Sequence, residues 1–189
     1  MPSTRFTSAA DAVPDFSRDV HCIFGLPFDA LSEDEAVRRV REAARDGRRM
    51  FLSTPNLNFA VGCLNDAGFR RSVVLSQLST ADGAPIVWLS RLMGLPIRER
   101  VSGAGLFDRL AEKPGDHRVD VYFFGGPDGV AERAHERINA ESDRAGVRSV
   151  GWQTPGFGKL EDMSGAAFTA PINASGAEFV VVALGAKKG

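Results

Sequence analysis

The sequence predicts an α/β fold with mainly parallel strands flanked by helices, on three observations. Short apolar runs alternate with helix-like amphipathic runs along nearly the whole chain, a pattern that implies parallel pairing with right-handed crossovers. Val119-Asp120-Val121-Tyr122-Phe123-Phe124 is the clearest strand, and it runs straight into a glycine-rich turn and a helix. Ser32-Glu33-Asp34-Glu35 has the spacing of a capping box, so a helix starts there between two strand-like runs. With 189 residues, 43% hydrophobic and 25% charged, the chain is long enough for one domain with its own core.

Composition narrows the function classes. A net charge of -1 and a pI near 6.3 leave no basic surplus to neutralise phosphates, which argues against a nucleic-acid partner. Cys22 and Cys63 lie far apart without metal-ligand spacing and are expected to be reduced, buried thiols of a cytosolic protein. His21 beside Cys22 does not make a metal site, and packing is its expected role. The first twenty residues lack a continuous apolar core, and no segment is long and apolar enough to span a bilayer, so any membrane contact is expected to be peripheral.

Residues 1 to about 20 are polar and are expected to form a loose arm, with a single α/β domain over 21–189. The domain starts with strand Val20–Phe24 and a turn at Gly25. The capped helix carries Ala36, Val37, Val40, Ala43 and Ala44 on one face and ends near Gly47, with its charges on a solvated face. Met50–Ser53 reads as a buried strand. Two short helices follow, Leu57–Leu64 and Phe69–Leu75, interrupted around Asn65–Gly68. A strand then leads to Asp82, and the helix after Gly83 is strongly apolar to Gly94, with Trp88 expected in the core. A helix spans about Leu106 to Glu112. After Gly146 come strand Val147–Gly151, a Gln153–Gly158 loop, a helix over Phe168–Ala174 with Pro171 in its first turn or breaking it, and a last strand, Ala177–Leu184. The chain stops shortly afterwards, without the helix that would close this α/β unit, so it is expected to lack a C-terminal segment.

Candidate chemistry gathers where strands meet helices, because strand ends and helix N-termini open onto one crevice in open α/β sheets. Asp82, in Ala81-Asp82-Gly83, has two readings: a helix cap, or a carboxylate that takes a proton. Thr54 and Asn56, around Pro55, either start the next helix or present fixed hydrogen-bonding groups to a polyhydroxylated ligand. Arg98 and Arg100 precede Ser102-Gly103-Ala104-Gly105 and suit an oxyanion. Gly125-Gly126-Pro127-Asp128-Gly129-Val130 is the best candidate for a diphosphate cradle, although it is neither a Walker loop nor a GxGxxG fingerprint. Gly185, at the end of the last strand, is expected at another edge of the same crevice.

Taken together and in order, Thr54-x-Asn56, Ala81-Asp82-Gly83, Glu99-Arg100-Val101-x-Gly103, Phe124-Gly125-Gly126-x-x-Gly129-Val130-Ala131 and Val182-Ala183-Leu184-Gly185 resemble the WecG/TagA/CpsF glycosyltransferases over about residues 20 to 189. The resemblance implies a Rossmann-like fold. It also implies inverting, metal-independent transfer of a sugar from a UDP-sugar to a polyprenyl-diphosphate-linked saccharide, in bacterial exopolysaccharide or cell-wall polymer synthesis at the cytoplasmic face of the inner membrane, with no cofactor. Asp82 matches the proposed general base, and Thr54, Asn56 and Arg100 match residues around the sugar and diphosphate. The sequence departs from relatives in ending Gly185-Ala186-Lys187-Lys188-Gly189 where they continue Gly-x-Pro-Lys-Gln-Glu into an extension that covers the site and attaches to the membrane. For a chain of this extent, weak nucleotide binding, poor turnover and possible self-association (homo-oligomer) are expected. A non-catalytic nucleotide-binding module is the alternative. An NAD-dependent oxidoreductase is disfavoured by the absence of a complete GxGxxG with its downstream acid.

Overall fold

The computed structural model describes residues 13–112, 115–140, 146–156, 163 and 165–184. Its elements run β1 (Val20–Ile23), β2 (Leu26–Asp29), α1 (Glu33–Arg45), β3 (Leu52–Ser53), α2 (Leu57–Asn65), α3 (Ala67–Val74), β4 (Leu78–Ser79), α4 (Ala84–Leu92), α5 (Gly103–Glu112), β5 (Val119–Gly125), α6 (Val130–Ala140), β6 (Val147–Gln153), α7 (Ala166–Ala174) and β7 (Phe179–Ala183). The protein is α/β, with parallel strands flanked by helices as the alternation predicts. It divides into two compact units, Met1–Ser32 with Met50–Gly103, and Glu33–Arg49 with Ala104–Gly189. In sequence, α1 interrupts the first unit, yet it packs as part of the second.

In the first unit β1 and β2 form an antiparallel hairpin that the sequence reading does not anticipate. Phe24 (φ 53°) and Gly25 (φ 73°) both lie in the left-handed region, the geometry of a tight hairpin turn, so the strand ends at Ile23 rather than running through Phe24. β3 and β4 pair in parallel through Leu52 with Leu78 and Ser53 with Ser79. The expected Met50–Ser53 strand is reduced to two residues, and Phe51 is half exposed. The core beneath collects Ile23, Leu26, Phe28, Ala60, Cys63, Val73, Ala81, Ile86, Val87 and Ile97. Burial pushes the Cys63 thiol up, as it disfavours the thiolate. Cys22, expected to be buried, is exposed, on the face of β1 opposite the buried Ile23.

A polar seam joins the hairpin to β4. The buried Asp29 carboxylate accepts from Arg18 Nη1 and from the Ser79 amide (2.7 Å). Arg18 also donates to the Ser76 carbonyl (2.7 Å), and the Ser79 hydroxyl donates to the Pro27 carbonyl (2.6 Å). Arg18, which the sequence places in the polar arm, is thus fastened to the first unit through Nη1 and Nη2.

Helix boundaries follow local chemistry. Asp66 ends α2 and caps α3, its side chain accepting from the Phe69 amide (2.8 Å), which accounts for the break expected near Asn65–Gly68. α4 differs from expectation in its orientation. Ile86, Val87 and Ser90 are buried, whereas Trp88 is 66% exposed and Leu92 84%. Because the helix is apolar nearly all round, periodicity alone does not select its inward face.

The second unit is built on β5, which pairs in parallel with β6 on one side and β7 on the other. α1 buries Ala36, Val37, Val40, Ala43 and Ala44, the face read from the sequence. Arg41 fixes the helix in this unit by donating to the Leu110 carbonyl (2.8 Å) and the His117 carbonyl (3.2 Å). On the outer face Glu35 accepts from Arg38 and Arg39, and the Arg38 hydrogen bonds above all hold its carboxyl at about 2. Pro171 lies inside α7, beyond its first turn and without breaking it.

Candidate functional site

The site in the first unit is built where β3 and β4 give way to α2 and α4. Paired strand ends there, but backbone bonds continue outward: the Thr80 amide donates to Ser53 (2.9 Å) and the Asp82 amide to Pro55 (3.1 Å). These bonds hold the two strand ends in register up to Asp82 itself. Asn56 caps α2, its Oδ1 accepting from the Phe59 amide (3.1 Å). That is the helix-starting role open to it from the sequence. The cap uses only the carbonyl end, and the Asn56 amide group makes no hydrogen bond among the described residues.

Asp82 is not a cap. The N-cap of α4 is Gly83, with φ 154°, and no side chain bonds to that helix start. The Asp82 carboxylate instead accepts from Arg100 Nη2 at 3.2 Å, with 23% of the Asp82 side chain and 60% of the Arg100 side chain exposed. A partly exposed pair of this kind contributes little to stability, about 1 kcal/mol or less, so fold stability does not account for it. Gly103 completes the group. A β-carbon there would lie 3.4 Å from both Oγ1 and Cγ2 of Thr54, so the glycine lets the start of α5 rest on the threonine. Gly103 and Gly105 therefore belong to the first turn of a helix, not to a free turn before it.

Five expected residues thus meet in one unit: Thr54, Asn56, Asp82, Arg100 and Gly103. A sixth is not evident from the sequence. Thr80 is fully buried, and its hydroxyl donates to the Val101 carbonyl (2.8 Å) while the Val101 amide donates to Ala81 (2.9 Å). These two bonds fasten the segment carrying Arg100 to the end of β4. The signal available in sequence was a threonine two residues before Asp82, whose partner lies 21 positions away. Replacing Thr80 with Val leaves that carbonyl unpaired and loosens Arg100. We expect stability to fall by about 1–3 kcal/mol and any transfer rate by roughly tenfold, read by melting and initial-rate assays.

Gly125 and Gly126 lie in the second unit, at the C-terminal end of β5. Gly125 has φ 104°, and a β-carbon there would stand 2.9 Å from the Ala183 backbone, so only glycine fits. The Gly126 amide donates to the Ala183 carbonyl (2.8 Å), which removes it from the expected diphosphate cradle. The Asp128 and Gly129 amides, just before α6, make no hydrogen bond among the described residues. Glu132 in the first turn opposes an anion at that helix start. Nearby at the end of β6, Gln153 Oε1 and Thr154 Oγ1 are buried without a partner among the described residues. Gly185, Phe157 and Gly158 lie outside the described residues. A groove of about 990 Å³ runs between α5 and α6, lined by Phe107, Phe123 and Val130 among others.

No group of three or more His, Cys, Asp or Glu side chains suited to a metal ion occurs among the described residues.

The model of the Glycosyl transferase WecG/TagA/CpsF family matches residues 21–189. A curated relative, the N-acetylglucosaminyldiphosphoundecaprenol N-acetyl-beta-D-mannosaminyltransferase of Bacillus spizizenii, is 27% identical over 135 residues, 71% of this chain and 50% of the relative. The chain spans about half the length of that relative.

Proposed function

Because the chain belongs to the WecG/TagA/CpsF glycosyl transferase family, we propose that it carries the acceptor-activating half of a sugar transfer from a UDP-sugar to a polyprenyl-diphosphate-linked saccharide, with inversion. The observation that carries this reading is the Asp82 carboxylate, free of any capping role and paired with Arg100. The relative's acceptor, N-acetylglucosaminyldiphosphoundecaprenol, indicates the class of acceptor, and its mannosaminyl group indicates an N-acetylhexosamine as the sugar moved.

The chemistry follows from the groups present. An acceptor hydroxyl is a poor nucleophile, and a carboxylate within hydrogen-bond reach takes its proton as the bond to the anomeric carbon forms. Arg100 Nη2 donates to Asp82 Oδ1. Its exposed guanidinium suits the oxyanion of a leaving diphosphate, and turning to one releases Asp82 for the acceptor. Thr54 and the unused amide of Asn56 supply fixed donors for sugar hydroxyls. By itself, the second unit holds the Gln153 and Thr154 oxygens, buried and without a partner among the described residues, as groups suited to a polar ligand. We place the reaction at the cytoplasmic face of the membrane, without a resident metal or cofactor.

The alternative, a nucleotide-binding module without transfer activity, is separated by two measurements on one sample. UDP-N-acetylhexosamines are expected to raise the melting temperature, as a ligand at about 100 times its Kd adds roughly 2.7 kcal/mol. Incubation with N-acetylglucosaminyl-diphosphoprenol should then yield the disaccharide lipid. Stabilisation without product favours the binding module, and the absence of both stabilisation and product rejects the reading altogether.

A further inference from the structure

We propose that the Asp82–Arg100 pair is an interlock: the Asp82 carboxylate and the donor's diphosphate compete for Arg100, so donor and acceptor bind cooperatively. This deepens the transfer reading above and rests on it. The backbone at both ends of the pair is fixed. The Asp82 amide donates to the Pro55 carbonyl (3.1 Å). Val101, buried next to Arg100, donates its amide to Ala81 (2.9 Å) and accepts from the Thr80 hydroxyl (2.8 Å). The pair therefore opens by side-chain rotation alone. With 60% of the Arg100 side chain exposed against 23% of Asp82, the guanidinium is the moving part.

The contact suits exchange. A single nitrogen, Nη2, reaches a single oxygen, Oδ1, at 3.2 Å, and neither side chain makes another hydrogen bond among the described residues. The contrast within this protein is Arg148, whose Nε and Nη2 both donate to Asp120 (2.9 and 2.6 Å), a forked pair that resists a competitor. An exposed pair joined by one bond favours its closed form by about fivefold at most. A diphosphate offers the guanidinium several oxygens and more than one negative charge, and forked, charge-assisted bonds to it are the stronger interaction. The diphosphate therefore wins Arg100, with an affinity lowered by the contact it must break.

Linkage gives the pair a role that neither residue has alone. A diphosphate that draws Arg100 away leaves both Asp82 oxygens open to an acceptor hydroxyl. A hydroxyl held on Asp82 leaves Arg100 open to the diphosphate. Each ligand then raises the affinity of the other, and by the same factor. Because the diphosphate competes the more strongly for its half of the pair, binding of the donor before the acceptor is favoured. The other charges of this segment, Arg91, Arg98 and Glu99, act on an anion whether or not Asp82 holds Arg100, so they contribute affinity without coupling.

The test is a double-substitution cycle read by calorimetric titration with UDP, which carries the donor's diphosphate. Asp82→Ala should tighten UDP roughly two- to fivefold, and Asp82→Asn, which keeps an oxygen for Arg100, should fall between it and the wild type. In an Arg100→Ala background, Asp82→Ala should leave UDP affinity unchanged, because the competition is gone; a general repulsion between Asp82 and the anion would persist there. A water-soluble acceptor, N-acetylglucosaminyl-diphosphate on a short prenol, should bind the wild type more tightly when UDP is present, and Arg100→Ala should abolish that gain. The proposal is overturned if Asp82→Ala leaves UDP binding unchanged or weakens it, if its gain survives in Arg100→Ala, or if no variant binds UDP. A cycle that responds to the acceptor's diphosphate and not to UDP overturns it as well, since Arg100 then serves the acceptor. Titration needs no turnover. Coupling without product keeps the competition for Arg100 and rejects the transfer reading, while product without coupling does the reverse.

Discussion

Asp82→Asn is expected to reduce sugar transfer by about two to four orders of magnitude, the usual contribution of a positioned general base. The melting shift produced by a UDP-sugar should be retained. The amide is nearly the same size as the carboxylate and keeps an oxygen for Arg100, but it takes no proton from an acceptor hydroxyl. Stability should barely change, because the helix start is capped at Gly83 and the Asp82–Arg100 pair is partly exposed. The two readings open from the sequence therefore leave different traces. A cap lost at this position lowers the melting temperature and spares the rate, whereas a base lost there lowers the rate and spares the melting temperature. Parallel initial-rate and calorimetric measurements on the variant decide between them, and an Asp82→Asn chain that transfers at the wild-type rate removes Asp82 as the base.

The largest effect on stability is expected at Asp29. Its carboxylate is 3% exposed and serves Arg18 and the Ser79 amide together. Asp29→Ala leaves a buried guanidinium without its counter-charge and a buried amide without an acceptor, at a cost of about 3–5 kcal/mol. That is a large share of the roughly 5–15 kcal/mol by which folded proteins are stable. The double variant Arg18→Met, Asp29→Ala removes the stranded charge as well, so it should unfold at a higher denaturant midpoint than Asp29→Ala alone. Urea titrations of the wild type, the single and the double variant give the comparison. If the double variant is no more stable than the single, the pair is not the coupled unit its geometry describes.

What was legible in the sequence was legible for local reasons. α1 carries a period of 3.6 with a polar opposite face, and its buried residues are the five that the pattern selects. The strand at β5 and its glycine exit were equally plain, because a run of large apolar residues ending at Gly125 has few other uses. Trp88 shows the limit. With Pro85, Ile86, Val87, Trp88 and Leu89 in succession, α4 offers no polar face to orient it, and the core took Ile86 and Val87. The β1–β2 hairpin escaped because Pro27 weakens the case for a strand and Phe24 is a poor guess for a left-handed turn. At the site, the residue types of Thr54, Asn56, Asp82, Arg100 and Gly103 were readable, but their mutual contacts were not. Asp82 and Arg100 are 18 positions apart, and no periodicity reports a pairing across that distance.

The placement of α1 also limits how this protein can be cut. The chain passes between the two units near Ser32, again near Met50, and a third time near Gly103, so neither unit is one continuous stretch of polypeptide. A single proteolytic nick in any of these crossings leaves two covalent tethers in place. Expression of residues 50–103 alone would omit the β1–β2 hairpin that supplies Ile23, Leu26 and Phe28 to the core. Exchange of one unit between relatives by a single recombination event is correspondingly barred, and the two must be inherited as an interwoven pair.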